Sequence, residues 1–139
     1  MSMKSFRFFA IFVALAMAAA GPALAHHSFA MFDSAKTVTI SGTVKDFQWT
    51  NPHVVLWVLA DAEDGKQPEE WTCELTSPGN LTRMGWSRHS LSPGDKVSVE
   101  LNPLRDGTHG GSLRKATLAA TGQVLASGSL RDLEKPGEE

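Results

Sequence analysis

Residues 37–49 read TVTISGTVKDFQW, and the parity of their apolar side chains decides the fold. Val38, Ile40 and Val44 share one face of an extended chain with Gly42 between them, whereas Phe47 and Trp49 take the opposite parity. Strand side chains alternate between faces with period two, so the phase must change near Lys45 and Asp46. A β-bulge there, one extra residue in the strand, returns both groups to a common face and bends the chain.

On the C-terminal side, Thr50-Asn51-Pro52 signals a turn, and residues 53–60 (HVVLWVLA) are almost wholly apolar, as expected for a well-buried second strand. Residues 62–70, containing Asp64-Gly65, lead to a third strand in which Trp71, Cys73 and Leu75 alternate with polar neighbours. Ser77-Pro78 is a helix N-cap followed by proline at the first helical position; Leu81 and Met84 lie three apart and Gly85 offers a stop. After the turn Ser92-Pro93-Gly94-Asp95, Val97, Val99 and Leu101 alternate as a fourth strand. A glycine-rich loop over residues 102–111 precedes a fifth strand at 113–119, and Thr121-Gly122 closes a last hairpin onto Val124 and Leu125.

Three strands, one short helix, then two strands, with a long bent first strand, predict an all-β fold. The order matches a small OB-fold-like β-barrel of five main strands whose helix lies between strands three and four. An open β-sandwich of similar size remains the alternative, since short strands with turns at these spacings suit it too.

On the N-terminal side, MSMKSFRFFAIFVALAMAAAGPALA carries Lys4 and Arg7, then an apolar run broken by Gly21-Pro22, then the small-residue site Ala23-Leu24-Ala25. This pattern predicts a cleavable secretory signal over residues 1–25. The apolar run is shorter than the roughly 20 residues a spanning helix needs. The expected product begins at His26, has no membrane span, and is periplasmic or secreted. The expected organisation is one barrel domain over residues 26–126, with an N-terminal arm at 26–36, and a polar, disordered tail at 127–139.

The whole chain has 13 Lys and Arg against 15 Asp and Glu. Loss of Lys4 and Arg7 with the signal leaves an acidic product, which gives no reason to expect nucleic acid as a partner. Cys73 is the one cysteine, so no internal disulfide exists. Its place in an alternating strand reads as a small buried apolar side chain rather than a reactive thiol.

Five histidines and no tyrosine are the compositional oddity. Cleavage after Ala25 would give His26 a free α-amine beside its imidazole, a pair able to chelate one metal ion, with His27 next to it. Copper(II) is the natural candidate, because nitrogen donors in a tetragonal arrangement suit it. An α-amino pKa of about 8 makes the required deprotonation inexpensive. A mobile histidine pair in a frayed terminus is the bland alternative. His53 lies at the junction of strands one and two, and His109 in the loop RDGTHGG between strands four and five. Those loops flank the usual ligand face of an OB-fold. If strands one and four pair antiparallel, the arm emerges near the end of strand four and His26 comes within reach of His109. Otherwise His53 bonds the turn backbone beside Pro52, and His109 is an exposed loop residue. His89 reads as surface.

Trp49, Trp57, Trp71 and Trp86, with Phe47, offer either a stacking platform or core bulk; packing is the simpler role, with Trp49, beside the loop, the exception. No nucleophile elbow, paired-carboxylate spacing, His-x-x-x-His, Cys-x-x-Cys or phosphate-binding glycine motif occurs, so the motifs argue against an enzyme and name no catalytic residue.

The segments AHHSFAMFD, GTVKDFQWTNPHVVLWV, SPGNLTRMGW and NPLRDGTHGG together resemble a family of small exported bacterial proteins known mainly as a domain of unknown function. The resemblance implies export and a compact β-fold, and it supplies no ligand set. Three functions follow as expectations. The first is a non-enzymatic metal-binding or accessory protein using His26 and His27 with His109 or His53. The second is a module binding a small molecule or partner protein through Trp49, Asn51, His53, Arg105 and Asp106. The third is an oxidative copper enzyme built on the same histidines.

Overall fold

The computed structural model describes residues 29–62 and 65–127. The expected signal at 1–25, His26, His27 and all but the first residue of the expected tail lie outside them. Six strands follow the chain: β1 (Val38–Gln48), β2 (Val55–Ala60), β3 (Glu70–Glu74), β4 (Lys96–Pro103), β5 (Gly110–Leu118) and β6 (Val124–Ala126). One α-helix, α1 (Pro78–Arg83), lies between β3 and β4, and a 3-10 turn spans Phe29–Met31.

The sheet runs β3-β2-β1-β4-β5-β6, and a further pairing of β3 with β5 closes the first five strands on themselves. All pairings are antiparallel except β3 with β5, where Thr72 pairs with Gly110 and Glu74 with Ser112. This closed order is that of the OB-fold. It excludes the open β-sandwich, in which β3 and β5 would not pair.

β1 makes the closure possible. Its first part pairs with β4 and its second with β2, and Gly42 pairs with both, opposite Val97 and Ala60. The register slips between Val44 and Asp46, at the point where the apolar parity changes. Val44 and Phe47 therefore both turn toward the core.

The buried cluster combines inward strand residues such as Leu56, Val58, Cys73, Val99 and Leu101 with Leu81, Trp86 and Leu91 from α1 and the segment after it. Ser77 caps α1, its hydroxyl accepting from the Asn80 N–H. The helix ends in a Schellman arrangement: Gly85, at φ +91°, donates to Thr82 O and Trp86 N–H donates to Leu81 O. That stop turns the Trp86 ring into the barrel.

Two local expectations differ from the structure. Gly110 and Gly111 belong to β5 rather than to the preceding loop. A Cβ on Gly111 would lie 2.3 Å from Asn102 O, and one on Gly110 would lie 2.9 Å from Thr72 O, so the closing strands approach too closely for any larger residue. Trp57 is not core: its pairing partners are Asp46 and Thr72, and all three belong to the outer face. Trp86 is buried, and Trp49, Trp71 and Phe47 pack against the core. The sheet pattern also continues one residue into the expected tail, where Ser127 is buried and its N–H donates to Arg114 O.

Cys73 is buried, and burial pushes its thiol up to about 12. At pH 8 the thiolate fraction is then on the order of one in ten thousand. Alkylation of the folded protein by iodoacetamide should be undetectable over minutes and become fast in denaturant; rapid labelling under native conditions would contradict this packing. The neutral thiol stabilises the fold fully below its unfolded pKa, and this contribution is lost as pH rises toward the folded value.

Candidate functional site

The outer surface of β2 and β3 is bounded at its two ends by the β1–β2 loop and the β4–β5 loop. The sequence-derived candidates divide between them. At the β1–β2 end, His53 Nδ1 pairs with Glu74 Oε1 on β3. Trp49 packs at a tilt against Phe47, with ring centroids 5.9 Å apart and planes at 59°, and lies half-buried against the core. Asn51 is exposed.

At the β4–β5 end, the loop is built from its own side chains. Leu104 N–H donates to Gly110 O at 2.9 Å and closes the neck. Asp106 Oδ1 accepts from the Thr108 hydroxyl at 2.7 Å and from the Thr108 N–H at 2.9 Å, and Gly107 takes the left-handed conformation between them, at φ +80°. Those two bonds hold the Asp106 carboxyl below the usual carboxylate value. Asp106 is thus occupied in shaping the loop.

The arm is fastened to this same loop. Phe32 bridges Leu104 antiparallel and is buried. Asp33 N–H donates to Pro103 O at 2.8 Å, and Arg105 N–H to Met31 O at 2.9 Å. The Arg105 side chain reaches back along the arm, its Nε donating to Ala30 O at 3.0 Å and its Nη1 lying 3.8 Å from Asp33 Oδ1. Arg105 therefore acts as a clamp on the arm.

His109 stands across the loop neck. Its carbonyl accepts from the Thr72 N–H at 3.2 Å. Its ring stacks on Trp71 with centroids 5.1 Å apart and planes 21° from parallel. Its Nε2 lies 3.4 Å from Glu69 Oε2. Glu69 and Trp71 carry no sequence signal for this role, because they meet His109 only through the parallel β3–β5 pairing.

His53 and His109 do not come together. They flank β3 on opposite sides and at opposite ends, more than about 10 Å apart at strand spacing and rise. No single ion takes both. Among the described residues no group of three or more His, Cys, Asp or Glu gathers to hold a metal ion, and no helix is long and apolar enough to cross a membrane. His89 is exposed in the segment after α1.

The fold and this site define a small closed β-barrel of OB topology with a clamped N-terminal arm. The chain belongs to a family of unknown function (DUF6152), whose model matches residues 14–114. No curated protein sequence matches it. Two solved chains are similar in structure. One is the crystal structure of the mitochondrial single-stranded DNA binding protein Rim1 from S. cerevisiae, at 10% identity and a TM-score of 0.48, covering 60% of this chain and 93% of that one.

Proposed function

We propose that this is an exported, non-enzymatic binding protein that takes copper(II) where its arm meets the β4–β5 loop. The α-amine and imidazole of His26 and the imidazole of His109 are the ligands. The observation that supports this reading is the fastening of the arm by Leu104 and Arg105 at the neck of the loop that carries His109. The arm lies on one edge of residues 103–105 and Gly110 on the other, about 10 Å apart at two strand spacings. The chain between His26 and Ala30 reaches up to about 14 Å at full extension. A reach of that order supports pairing a terminal chelate with His109, carried by the loop to which the arm is fastened, in preference to His53 at the far end of β3.

The chemistry suits the metal. An amine and two imidazoles are nitrogen donors, which copper(II) takes ahead of other divalent ions of the first row. The protein recovered from an exporting cell is expected to begin at His26 by mass spectrometry and to bind one copper(II) by calorimetry and electron paramagnetic resonance. Retaining Ala25 ahead of His26 removes the terminal chelate, and the affinity is expected to fall about a hundredfold, or about 2.7 kcal/mol. Equal affinity for the two forms, or a native terminus elsewhere, overturns the proposal.

A further inference from the structure

We infer that the outer face of β2, centred on Trp57, binds a neutral saccharide chain, with the indole as its stacking platform and the ion pairs Lys45–Glu70 and His53–Glu74 as its hydrogen-bonding ends. This face shares no residue with the copper reading above and stands or falls separately from it.

Three cross-strand rows make up the face. Thr43, Leu59 and Glu70 form the first, Asp46, Trp57 and Thr72 the second, and Gln48, Val55 and Glu74 the third. Val55, Trp57 and Leu59 are half-buried, and strand alternation turns them away from Leu56 and Val58, which point into the core. Trp49, Trp71 and Trp86 belong to the core or pack against it, and Trp57 does not. The barrel thus carries a large aromatic ring on its outside, in the middle of a sheet surface and between two apolar neighbours.

Each end of the face sets a donor beside an acceptor. Lys45 sits in the bulge without a partner in the β1–β2 ladder, and a bulge re-aims the side chain it carries. Lys45 accordingly crosses β2 to pair with Glu70 on β3. At the other end His53 pairs with Glu74. Glu70 and Glu74 lie about 13 Å apart along β3 at strand rise, with the Trp57 row midway between theirs. The Lys45 and Glu70 side chains are 53% and 40% exposed, those of His53 and Glu74 31% and 34%, so both pairs are within reach of a ligand lying on the ring.

Charge selects the occupant. Glu70 and Glu74 are already paired, and Asp46 accepts from the Phe47 N–H at 2.8 Å. A cation therefore meets no uncommitted cluster of carboxylates, and a phosphate backbone meets a face with more acidic than basic groups. A neutral polyhydroxyl ligand suits what remains. A pyranose with equatorial hydroxyls presents weakly positive C–H groups on its flat faces, which complement the negative face of an indole. Its hydroxyls project from the rim and both donate and accept, matching the two ion pairs, the Thr72 hydroxyl and the Gln48 amide. The span between the pairs suits a short chain rather than a single ring.

The experiment adds cellohexaose, a neutral β-linked glucose chain, to nitrogen-labelled protein recovered from an exporting cell, with oligothymidylate and polylysine as charged controls, and follows the amide and indole resonances. Cellohexaose is expected to shift the Trp57 indole and the amides of β2 and β3 around it, and to leave the arm and β6 unmoved. Trp57→Ala is expected to weaken binding at least about tenfold. Lys45→Met is expected to weaken it about threefold and to melt with the wild type, since an exposed ion pair adds little stability. Trp57→Phe keeps an aromatic strand former and is expected to retain the fold and most of the binding. No shift at the Trp57 face of the wild type overturns the inference, whatever the variants do. Equal affinity in a folded Trp57→Ala also overturns it, and so does a preference of this face for polylysine or oligothymidylate over cellohexaose. Copper(II) binding, present or absent, changes none of these outcomes.

Discussion

Gly42→Ala should leave the barrel at least about 3 kcal/mol less stable, and at the upper end unfolded at room temperature. Gly42 is where β1 leaves one neighbour for the other, paired with Ala60 on β2 and Val97 on β4. A Cβ there would lie 2.2 Å from Leu59 O, 2.8 Å from Leu59 C and 2.9 Å from Ala60 Cα. All three are backbone atoms of the paired strand, so no side chain can swing aside, and the strands must part at the point on which closure depends. Gly79→Ala is the control. Gly79 lies within α1 with nothing within 4 Å of an added Cβ, and alanine favours the helix by up to about 1 kcal/mol. Urea denaturation of both variants checks the contrast; similar midpoints would show that close approach at Gly42 does not limit the fold.

Trp86→Ala should cost about 3–5 kcal/mol, the range for deleting a buried aromatic. Trp86 is 2% exposed. Its ring lies 6.1 Å from that of Phe47, beyond the bulge in β1, and its Nε1 donates to Ala126 O at 2.6 Å. One side chain therefore joins the helix stop, the bent strand and the last strand. Trp86→Phe separates the terms: it keeps most of the bulk but leaves the Ala126 carbonyl without its donor, for a loss of about 1–2 kcal/mol. Hydrogen exchange should then quicken in β6 and at Ser127, while β1 and β2 stay protected. An equal loss of protection everywhere would mean that the indole bond does not hold β6.

Legibility in the sequence followed the range of the interactions. Alternation within a strand depends on neighbours two residues apart, so the phase change near Lys45 was visible before any pairing was known, and the register slip between Val44 and Asp46 accounts for it. Ser77, Pro78 and Gly85 act within one helical turn, and they bound α1. Cys73 was readable as buried because its parity matches that of Trp71 and Leu75. Trp57 misled because a run as apolar as HVVLWVLA hides which parity faces out; only the cross-strand partners Asp46 and Thr72 decide it.

The amino-acid sequence by itself determined an all-β barrel with a bulged first strand and one short helix, because periodicity, capping and turn chemistry are local. The tertiary structure alone decided that β3 and β5 meet in parallel, that Gly110 and Gly111 sit inside the closure, and that Arg105 clamps the arm. It also decided that Glu69, Trp71 and His109 share one corner while His53 pairs with Glu74 at the other. These contacts join residues far apart along the chain. Their geometry depends on how a twisted sheet closes on itself, which no local pattern of side chains records.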